Sequence, residues 1–261
     1  MNIFVCVKQV PDTETKVSPN SEGSFIETNN IKWIMNPYDE FAVEQALQVK
    51  QNISDSTVTV VRVGQLQTSE VLRTALAMGA DDAVLVETKE ILDSYMTAKA
   101  IKGAIDKTEK KPDLILMGKQ AIDSDCLQVP QLLAELMDLP SVSVIVGFEL
   151  SNDQLLLKRE IDGGSLEVYN VDVPCVIACN KGLNTPRYAS LPGIMKAKKK
   201  PLLTLSLEDV QVSESDRKIK YSNFHLPPEK PPGKTFETTD DNQLEVVKEV
   251  VQLLRDEAKV I

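Results

Sequence analysis

Apolar runs and amphipathic segments alternate along the first half of the chain. The runs that are almost continuously apolar, as in strands covered on both faces of a parallel sheet, span residues 2–7, 57–64, 83–87 and 113–118. The segments in which apolar residues recur at helical spacing span residues 38–50, 69–78, 91–107 and 127–137. Strands that alternate with helices of this length predict an α/β fold with a mostly parallel, doubly wound sheet of the Rossmann-like type.

The pattern changes after Pro140. Short strand-like runs follow at residues 141–148, 154–160, 165–171 and 174–179, and turn residues separate them. Residues 154–171 predict an antiparallel hairpin that is added to the sheet or its edge. Residues 182–200 show no periodicity and contain Pro186 and Pro192, so we expect an exposed loop there.

The C-terminal part of the chain has a different character. A proline-rich linker at residues 226–234 precedes an amphipathic segment at residues 242–258, which predicts a helix. Because the linker separates this helix from the main sheet, we expect it to pack on a partner chain. The sequence therefore predicts an α/β domain over residues 1–200, which includes the loop at 182–200, and a C-terminal arm over residues 201–261.

Composition and charge exclude several classes of protein. Hydrophobic residues make up 42% and charged residues 26% of the chain, as in ordinary globular proteins. The net charge of −10 disfavours binding to nucleic acid. No apolar run reaches the length of about 18 residues that a membrane span needs, so we expect no membrane insertion. The first residues run directly into a strand without the features of a leader, which predicts a cytoplasmic location.

The cysteines and the single histidine limit the available chemistry. Cys175 and Cys179 are the only close pair, and their spacing fits neither a zinc site nor a redox motif. We expect these two, with Cys6 and Cys126, to be buried free thiols in a reducing compartment. One histidine, His225, leaves little for a metal site or a histidine-dependent catalytic site. The residues favour a binding protein without a metal over an enzyme.

Candidate binding residues follow the predicted strands. Carboxyl ends of parallel strands meet at one edge of a sheet, where open α/β folds bind ligands. Gly118 ends such a strand, and a polar stretch leads from it into a helix that starts near residues 126–128. A helix start offers free N–H groups and a positive dipole end, which suit a phosphate. The alternative interpretation is that the acidic residues at 123–125 only cap the helix.

Six sequence motifs resemble those of one protein family. They run in order over residues 1–201 and read VCVKQVPDT, MNPYDEFAVEQAL, RTALAMGADDAVLV, LILMGKQAIDSDC, KREIDGG and LNTPRYASLPGIMKAKKK. The chain resembles the beta subunit of electron transfer flavoproteins, in the branch that carries AMP. This resemblance implies an electron carrier, not an enzyme: an αβ heterodimer that accepts electrons from acyl-CoA and related dehydrogenases of fatty acid beta-oxidation and passes them to a membrane quinone oxidoreductase. In a eukaryote it would imply the mitochondrial matrix.

The resemblance also implies cofactors and their sites. FAD would lie mainly on the alpha subunit, and this chain would hold AMP in a structural role within an adenine-nucleotide-binding type of sheet. Residues 10–13 would lie toward the flavin. The residues that match the family's AMP pocket are Cys6, Asn36, Pro37, Tyr38, Asp39, Val63, Gly118, Lys119, Gln120, Ala121, Ile122, Asp123, Ser124, Asp125, Cys126, Leu127, Gln128 and Val129.

The loop at residues 182–200 matches the family's dehydrogenase-docking loop. Leu191 corresponds to the leucine that inserts into a hydrophobic pocket of the dehydrogenase, and Tyr188 and Ile194 flank it. Lys196 and Lys199 match lysines that some members methylate.

The match is not complete at the pocket. Many relatives carry Gln-Thr-Gly where this chain has Gln128, Val129 and Pro130, so a hydroxyl and an N–H donor that suit a phosphate are replaced. Two alternatives to an AMP-bearing subunit therefore remain open. One is a bifurcating subunit that holds its own FAD, and the other is a stand-alone adenine-nucleotide-binding module.

Overall fold

A computed structural model describes residues 1–65, 70–151, 153–230 and 232–261. The chain forms two compact units, Met1–Phe224 and His225–Ile261. The first unit has the predicted α/β fold. The predicted helix start at Ser69 lies outside the described residues, and the described helix runs from Glu70 to Met78.

The strands and helices are as follows. The strands are β1 (Asn2–Cys6), β2 (Gln9–Pro11), β3 (Trp33–Met35), β4 (Thr57–Gly64), β5 (Asp82–Glu87), β6 (Leu114–Gly118), β7 (Ser141–Ser151), β8 (Gln154–Glu160), β9 (Leu166–Asp172), β10 (Cys175–Cys179) and β11 (Leu202–Ser206). The helices are α1 (Pro37–Asn52), α2 (Glu70–Met78), α3 (Ser94–Lys107), α4 (Val129–Met137), α5 (Leu191–Ala197) and α6 (Gln243–Asp256).

The main sheet has nine strands in the order β11-β5-β4-β1-β6-β10-β7-β8-β9. Strands β11 to β7 in this order pair in parallel, and β8 and β9 add the predicted antiparallel hairpin. The chain proceeds from β1 outward to β4 and β5, and then crosses back to β6 on the other side of β1. Open sheets of this type bind ligands beyond the carboxyl ends of the strands at such a reversal, and we call this region, beyond the ends of β1 and β6, the crevice.

The two faces of the sheet bury separate apolar cores. Along β1, Ile3 and Val5 point into a core shared with α1 and α2, whereas Phe4 and Cys6 point into a core shared with α3 and α4. Successive side chains of a strand face opposite sides, so a strand covered by helices on both sides must be apolar throughout. The continuous apolar runs in the sequence therefore indicate a sheet that is covered by helices on both faces.

Helix starts differ from the predicted ones by a few residues. Helix α3 begins at Ser94 and not at residue 91, because Asp93 caps it by accepting a 2.8 Å hydrogen bond from the N–H of Met96. Helix α4 begins at Val129 and not at residue 127, with Pro130 in its first turn.

Residues that lacked a strand pattern nevertheless join sheets. Strands β2 and β3 form a small antiparallel pair that the sequence did not predict. Strand β11 pairs with β5 at the edge of the main sheet. Its Leu202 packs on one core and its Leu205 on the other, and Val210 and Val212 are buried beyond it. The first compact unit therefore extends to Phe224, past the predicted domain end at residue 200.

The segment at residues 182–200 is not a loop throughout. It contains the seven-residue helix α5, which Ser190 caps by accepting a 3.1 Å hydrogen bond from the N–H of Gly193. A helix of about two turns is too short to show a periodic pattern in the sequence, and its prolines favoured the prediction of a loop.

The second unit contains α6, none of whose residues is buried. Leu244, Val247, Val251 and Leu254 are exposed along it at helical spacing. Its packing on a partner chain stays a prediction. Among the described residues, no helix is both long and apolar enough to cross a membrane.

Candidate functional site

Residues from three distant parts of the chain meet at the crevice. Asn36, directly before α1, donates a hydrogen bond from Nδ2 to the carbonyl oxygen of Gln120 (2.9 Å), and its Oδ1 accepts one from the N–H of Ile122 (3.1 Å). Lys8, after β1, forms a 2.7 Å ion pair with Asp123. The structure thus brings the predicted segments 36–39 and 118–125 together, and Asn36 fixes the shape of the second.

Asp39 ties the two strands that border the crevice. Its Oδ2 accepts a 2.7 Å hydrogen bond from the N–H of Lys8, and its Oδ1 accepts a 2.9 Å hydrogen bond from the N–H of Gly118. The residue is buried, and burial raises the pKa of its carboxyl to about 7, against the effect of hydrogen bonds from the Lys8 N–H, the Asn36 side chain and the Gly118 N–H.

Gly118 has no room for a side chain. A Cβ atom at this position would overlap Oδ1 of Asp39 and would lie 2.6 Å from Cβ of Tyr38. The backbone approaches the first turn of α1 this closely only because the residue is glycine. The sequence predicted that Gly118 allows a ligand to come close to the backbone. In the structure, the missing side chain allows α1 to pack against β6.

The loop after Gly118 is partly exposed. Lys119 donates from its N–H to the carbonyl of Cys179 (2.9 Å), and its ammonium lies 5.1 Å from the ring centroid of Tyr38. The side chain of Gln120 donates to Asp125 (2.6 Å). Pro37, Tyr38 and residues 119–122 are half-buried, whereas Asp123, Ser124, Asp125, Leu127 and Gln128 are exposed.

The acidic residues of the loop do not cap α4. The cap position is Gln128, and no side chain makes a capping hydrogen bond there. The interpretation of residues 123–125 as a simple helix cap is therefore wrong. The N–H groups of Val129 and Gln131 in the first turn face the loop end without a side-chain cap, whereas Pro130 has no N–H to offer.

The cysteines are free, and three of them are buried as expected. Cys6 ends β1 with its side chain in the core shared with α3 and α4, and burial raises the pKa of its thiol above the usual range. Cys126 differs from the prediction, because it is only half-buried, and its Sγ donates to the carbonyl of Ser124 (3.3 Å). Val63 is half-buried at the end of β4, the neighbour of β1.

Arg62 is a residue of this edge that the sequence analysis missed. It is buried, donates to the side chain of Gln9 (3.0 Å) and to the carbonyl of Gln65 (3.1 Å), and burial lowers its pKa to about 10. The signal was present, since an arginine interrupts the apolar strand run TVTVVRVG. It remains charged at neutral pH and adds positive potential to the carboxyl edge.

A second surface is formed by the segment at residues 182–200. Tyr188 is 96% and Leu191 80% exposed, and Ile194 is also exposed. Met195, which the sequence analysis did not single out, is 72% exposed beside them. We call Tyr188, Leu191, Ile194 and Met195 the apolar patch. Exposed apolar side chains that cluster in this way indicate an interaction surface.

The base of this segment is fixed to α1. Arg187 donates to both carboxylate oxygens of the buried Glu44, from Nε (2.7 Å) and from a terminal nitrogen (2.8 Å). Asn184 donates to the carbonyl oxygen of Phe41 (3.0 Å). Bidentate pairs of arginine with carboxylate fix orientation as well as distance.

Helix α5 packs closely on α2. Gly193 allows this approach, because a Cβ there would overlap the carbonyl oxygen of Ala77. Arg73 donates to the carbonyl of Ala197 (2.7 Å), and Lys200 donates to carbonyls at the end of α2, including that of Leu76 (3.0 Å). Lys196 and Lys199 remain exposed.

The described part of the chain contains no group of histidine, cysteine or acidic residues arranged to hold a metal ion.

Comparison with known proteins agrees with this architecture. A family model described as "Electron transfer flavoprotein domain" matches residues 24–210. The electron transfer flavoprotein subunit beta of Bacillus subtilis is 41% identical over 266 residues, which cover all of both chains. The corresponding human subunit is 38% identical over 245 residues, or 92% of this chain and 94% of the human one. The mitochondrial subunit of Arabidopsis thaliana is 39% identical over the full length of both chains. The chain therefore belongs to the family of electron transfer flavoprotein beta subunits.

Proposed function

We propose that this chain holds AMP as the beta subunit of an αβ electron transfer flavoprotein, which accepts electrons from acyl-CoA and related dehydrogenases and passes them to a membrane quinone oxidoreductase. Membership of the family supports the coarser part, a subunit of an electron-transfer heterodimer. The observation that supports the AMP site is the loop after Gly118, which lies beyond the ends of β1 and β6 and is held in shape by Asn36.

The residues around the crevice fit an adenine nucleotide. The first-turn N–H groups of α4 suit a phosphate, and Arg62 and Lys119 place positive charge at the same edge of the sheet, whereas the charge of Lys8 is paired with Asp123. Asn36 holds the loop carbonyl and N–H groups of Gln120 and Ile122 in place, so the loop is preorganised for a ligand. The bound nucleotide would contribute to the stability of the folded subunit, as any ligand specific for the native state does.

Redox chemistry in this proposal is supplied by FAD held mainly on the alpha subunit. In this chain, residues 10–13 would face the flavin. Val10 and Pro11 are buried in the pair of β2 with β3, and Asp12 forms a 2.6 Å ion pair with Lys32. These contacts give the segment a defined backbone position from which to border a partner.

The second unit supports the requirement for a partner chain. An exposed stripe of leucine and valine side chains runs along α6, and a helix with such a stripe gains stability by burying it. In the proposal, the alpha subunit covers this stripe.

The nucleotide content of the purified heterodimer tests the proposal directly. The chain is co-expressed with its alpha partner, the complex is heated, and the released nucleotides are identified by mass spectrometry. We expect one AMP and one FAD per heterodimer. Two FADs without AMP would assign the chain to the bifurcating branch, and a chain that contains a nucleotide but binds no partner would be a stand-alone module. The absence of any nucleotide would contradict all of these.

The apolar patch supports a role in docking to the dehydrogenase. One exposed leucine can dominate a small interface, so we expect Leu191→Ala to slow electron transfer from an acyl-CoA dehydrogenase about tenfold. The measurement is the rate of flavin reduction by the reduced dehydrogenase, with nucleotide content and melting temperature as checks of integrity.

Leu166→Ala is the matched control for docking. Leu166 is a leucine of β9 that is 51% exposed, so the same truncation is made away from the apolar patch. We expect this variant to keep the wild-type rate of electron transfer. Equal rates for Leu191→Ala and the wild type would remove the docking role from the patch.

A further inference from the structure

The carboxylate of Asp39 lies at the carboxyl ends of β1 and β6, the two neighbouring strands at which the strand order reverses. Lys8 follows β1 and Gly118 ends β6, and the backbone N–H groups of both donate to this one carboxylate, at 2.7 and 2.9 Å. Each oxygen accepts from a different strand end. Strands β1 and β6 pair with each other as far as Cys6 and Met117, and Asp39 then holds one backbone N–H beyond the last pair on each strand.

The opposite edge of the same two strands provides a comparison. There, Asp113 accepts a 2.7 Å hydrogen bond from the N–H of Asn2, just before β6 and at the start of β1. Asp113 is half-buried, whereas Asp39 is only 5% exposed. Both carboxylates accept backbone hydrogen bonds at strand ends, and only Asp39 does so at the crevice and away from water.

The buried carboxylate of Asp39 lowers the stability of the folded protein at neutral pH. Burial raises the pKa of its carboxyl to about 7, and Lys8, the cation that acts on it, extends its ammonium to Asp123 at 2.7 Å. Because this pKa lies above the value of about 3.9 for an unfolded chain, the stability from this group is present at low pH and is lost as pH rises toward 7. A group that costs stability at neutral pH in a crevice is a candidate for function.

Other titratable groups lie near Asp39. Cys6 of β1 and Cys179 of β10 interact with the Asp39 charge, and burial raises the pKa of both thiols well above the usual range, so both stay neutral near pH 7. Lys119 directs its ammonium to the ring of Tyr38. Burial also raises the pKa of Glu40, the next residue of α1, so a change in the crevice between about pH 6 and about pH 8 is assigned to Asp39 by comparing the wild type with Asp39→Asn.

We infer that Asp39 is a positioning residue of the nucleotide site, whose carboxylate holds the ends of β1 and β6 at the spacing that retains the ligand. This inference rests on the proposed function. The ionised carboxylate accepts from both N–H groups, whereas the protonated form carries a hydroxyl in place of one good acceptor. Protonation weakens the hold on one strand end, so the crevice loosens and the nucleotide leaves faster.

The rate of AMP exchange at two pH values tests this inference. The heterodimer with bound AMP is mixed with an excess of isotopically labelled AMP, and the replaced fraction is followed by mass spectrometry. For the wild type, we expect exchange about tenfold faster at about pH 6 than at about pH 8. In Asp39→Asn, exchange is fast at both pH values, and the ratio falls to the part that ionisation of the AMP phosphate contributes, since an amide does not titrate in this range. If Asp39 had only a structural role, Asp39→Asn would exchange AMP faster at both pH values, and the ratio of the two rates would stay as in the wild type.

Two control variants isolate the contribution of Asp39. Asp113→Asn removes the corresponding carboxylate at the far edge, and His225→Gln removes the chain's single histidine, a residue type that titrates near this range. Both should keep the wild-type ratio. The phosphate of AMP has its own ionisation near pH 6, which contributes equally in every variant and cancels in the comparison.

The outcomes separate this inference from the proposed function. A wild-type heterodimer without AMP would overturn the proposed function. AMP that exchanges with the same pH ratio in the wild type and in Asp39→Asn would overturn only the role of Asp39. If Asp39→Asn does not assemble, the wild type decides, because a ratio near one, or faster exchange at the higher pH, overturns the inference. A tenfold ratio that both control variants keep and that is smaller in Asp39→Asn supports it.

Discussion

Replacing Gly118 with alanine is expected to destabilise the protein by about 3 kcal/mol and, under the proposed function, to lower the AMP content of the heterodimer. The added Cβ would overlap Oδ1 of Asp39 and lie 2.6 Å from Cβ and 2.8 Å from the carbonyl carbon of Tyr38. The backbone atom and the hydrogen-bonded carboxylate cannot move aside separately. Helix α1 and β6 must therefore separate, and the hydrogen bond from Gly118 to Asp39 is lost.

Thermal unfolding of the heterodimer measures this effect. For a chain of this size, a loss of about 3 kcal/mol lowers the melting temperature by roughly 6–12 °C. Gly233→Ala is the control, because no described atom lies within 4 Å of the Cβ it would add, and its melting temperature should stay within about a degree of the wild type. A Gly118→Ala variant that melts with the control would contradict the close approach of β6 to the first turn of α1.

Replacing Arg187 with methionine is expected to destabilise the protein by about 3 kcal/mol at neutral pH. The side chain of Glu44 is 5% exposed and receives both of its close charged hydrogen bonds from Arg187. Methionine fills much of the same volume but leaves the buried carboxylate without its cation. Removing one partner of a buried pair costs more than the pair contributes, because a charge is left in a medium of low polarity.

The pH dependence of this effect has a definite sign. Burial alone raises the pKa of Glu44, but the hydrogen bonds and charge of Arg187 hold it below the usual range. The wild type therefore keeps this stability above about pH 4 and loses it as pH falls through the lowered pKa. Without Arg187, burial dominates and the pKa is raised. The variant should then recover stability on acidification, so that its deficit shrinks between about pH 7 and about pH 4.

An exposed ion pair gives the contrast. Lys102→Met removes the partner of Asp106 in a 2.7 Å pair whose side chains are 37% and 56% exposed. Such pairs contribute roughly 0.5 kcal/mol or less, so this variant should unfold like the wild type in urea. A deficit of Arg187→Met that stays constant with pH would contradict a charged, buried Glu44.

Local patterns in the sequence were sufficient to predict the layered fold. The apolar run at β1 shows that the strand is buried on both faces, because alternate residues such as Phe4 and Val5 belong to different cores. The hairpin of β8 and β9 and the helix α6 followed from the same kind of pattern. Helix α5 was missed, although Ser190 and Pro192 form the capped and proline-containing start that such helices use.

The candidate site could be predicted only in part. Gly118 and the loop after it were found because a glycine and a polar stretch follow an apolar run, and the motif resemblance added Asn36 to Asp39. Nothing local indicated that the carboxylate of Asp39 would accept from strand ends 31 and 79 residues away. Arg62 was visible as a charge in an apolar strand, but not its place at the crevice.

The sequence by itself determined the periodicity of each segment, and with it which faces must be buried. Only the tertiary structure decided which buried faces meet: β11 beside β5, β6 beside β1, and Arg187 on Glu44 across 143 residues. The physical reason is that periodicity is a property of neighbours along the chain, whereas pairing depends on which surfaces pack together with the least exposed apolar area and no unpaired buried charge. The crevice exists because the order of the strands reverses at β1, and strand order is fixed by packing between segments rather than within them.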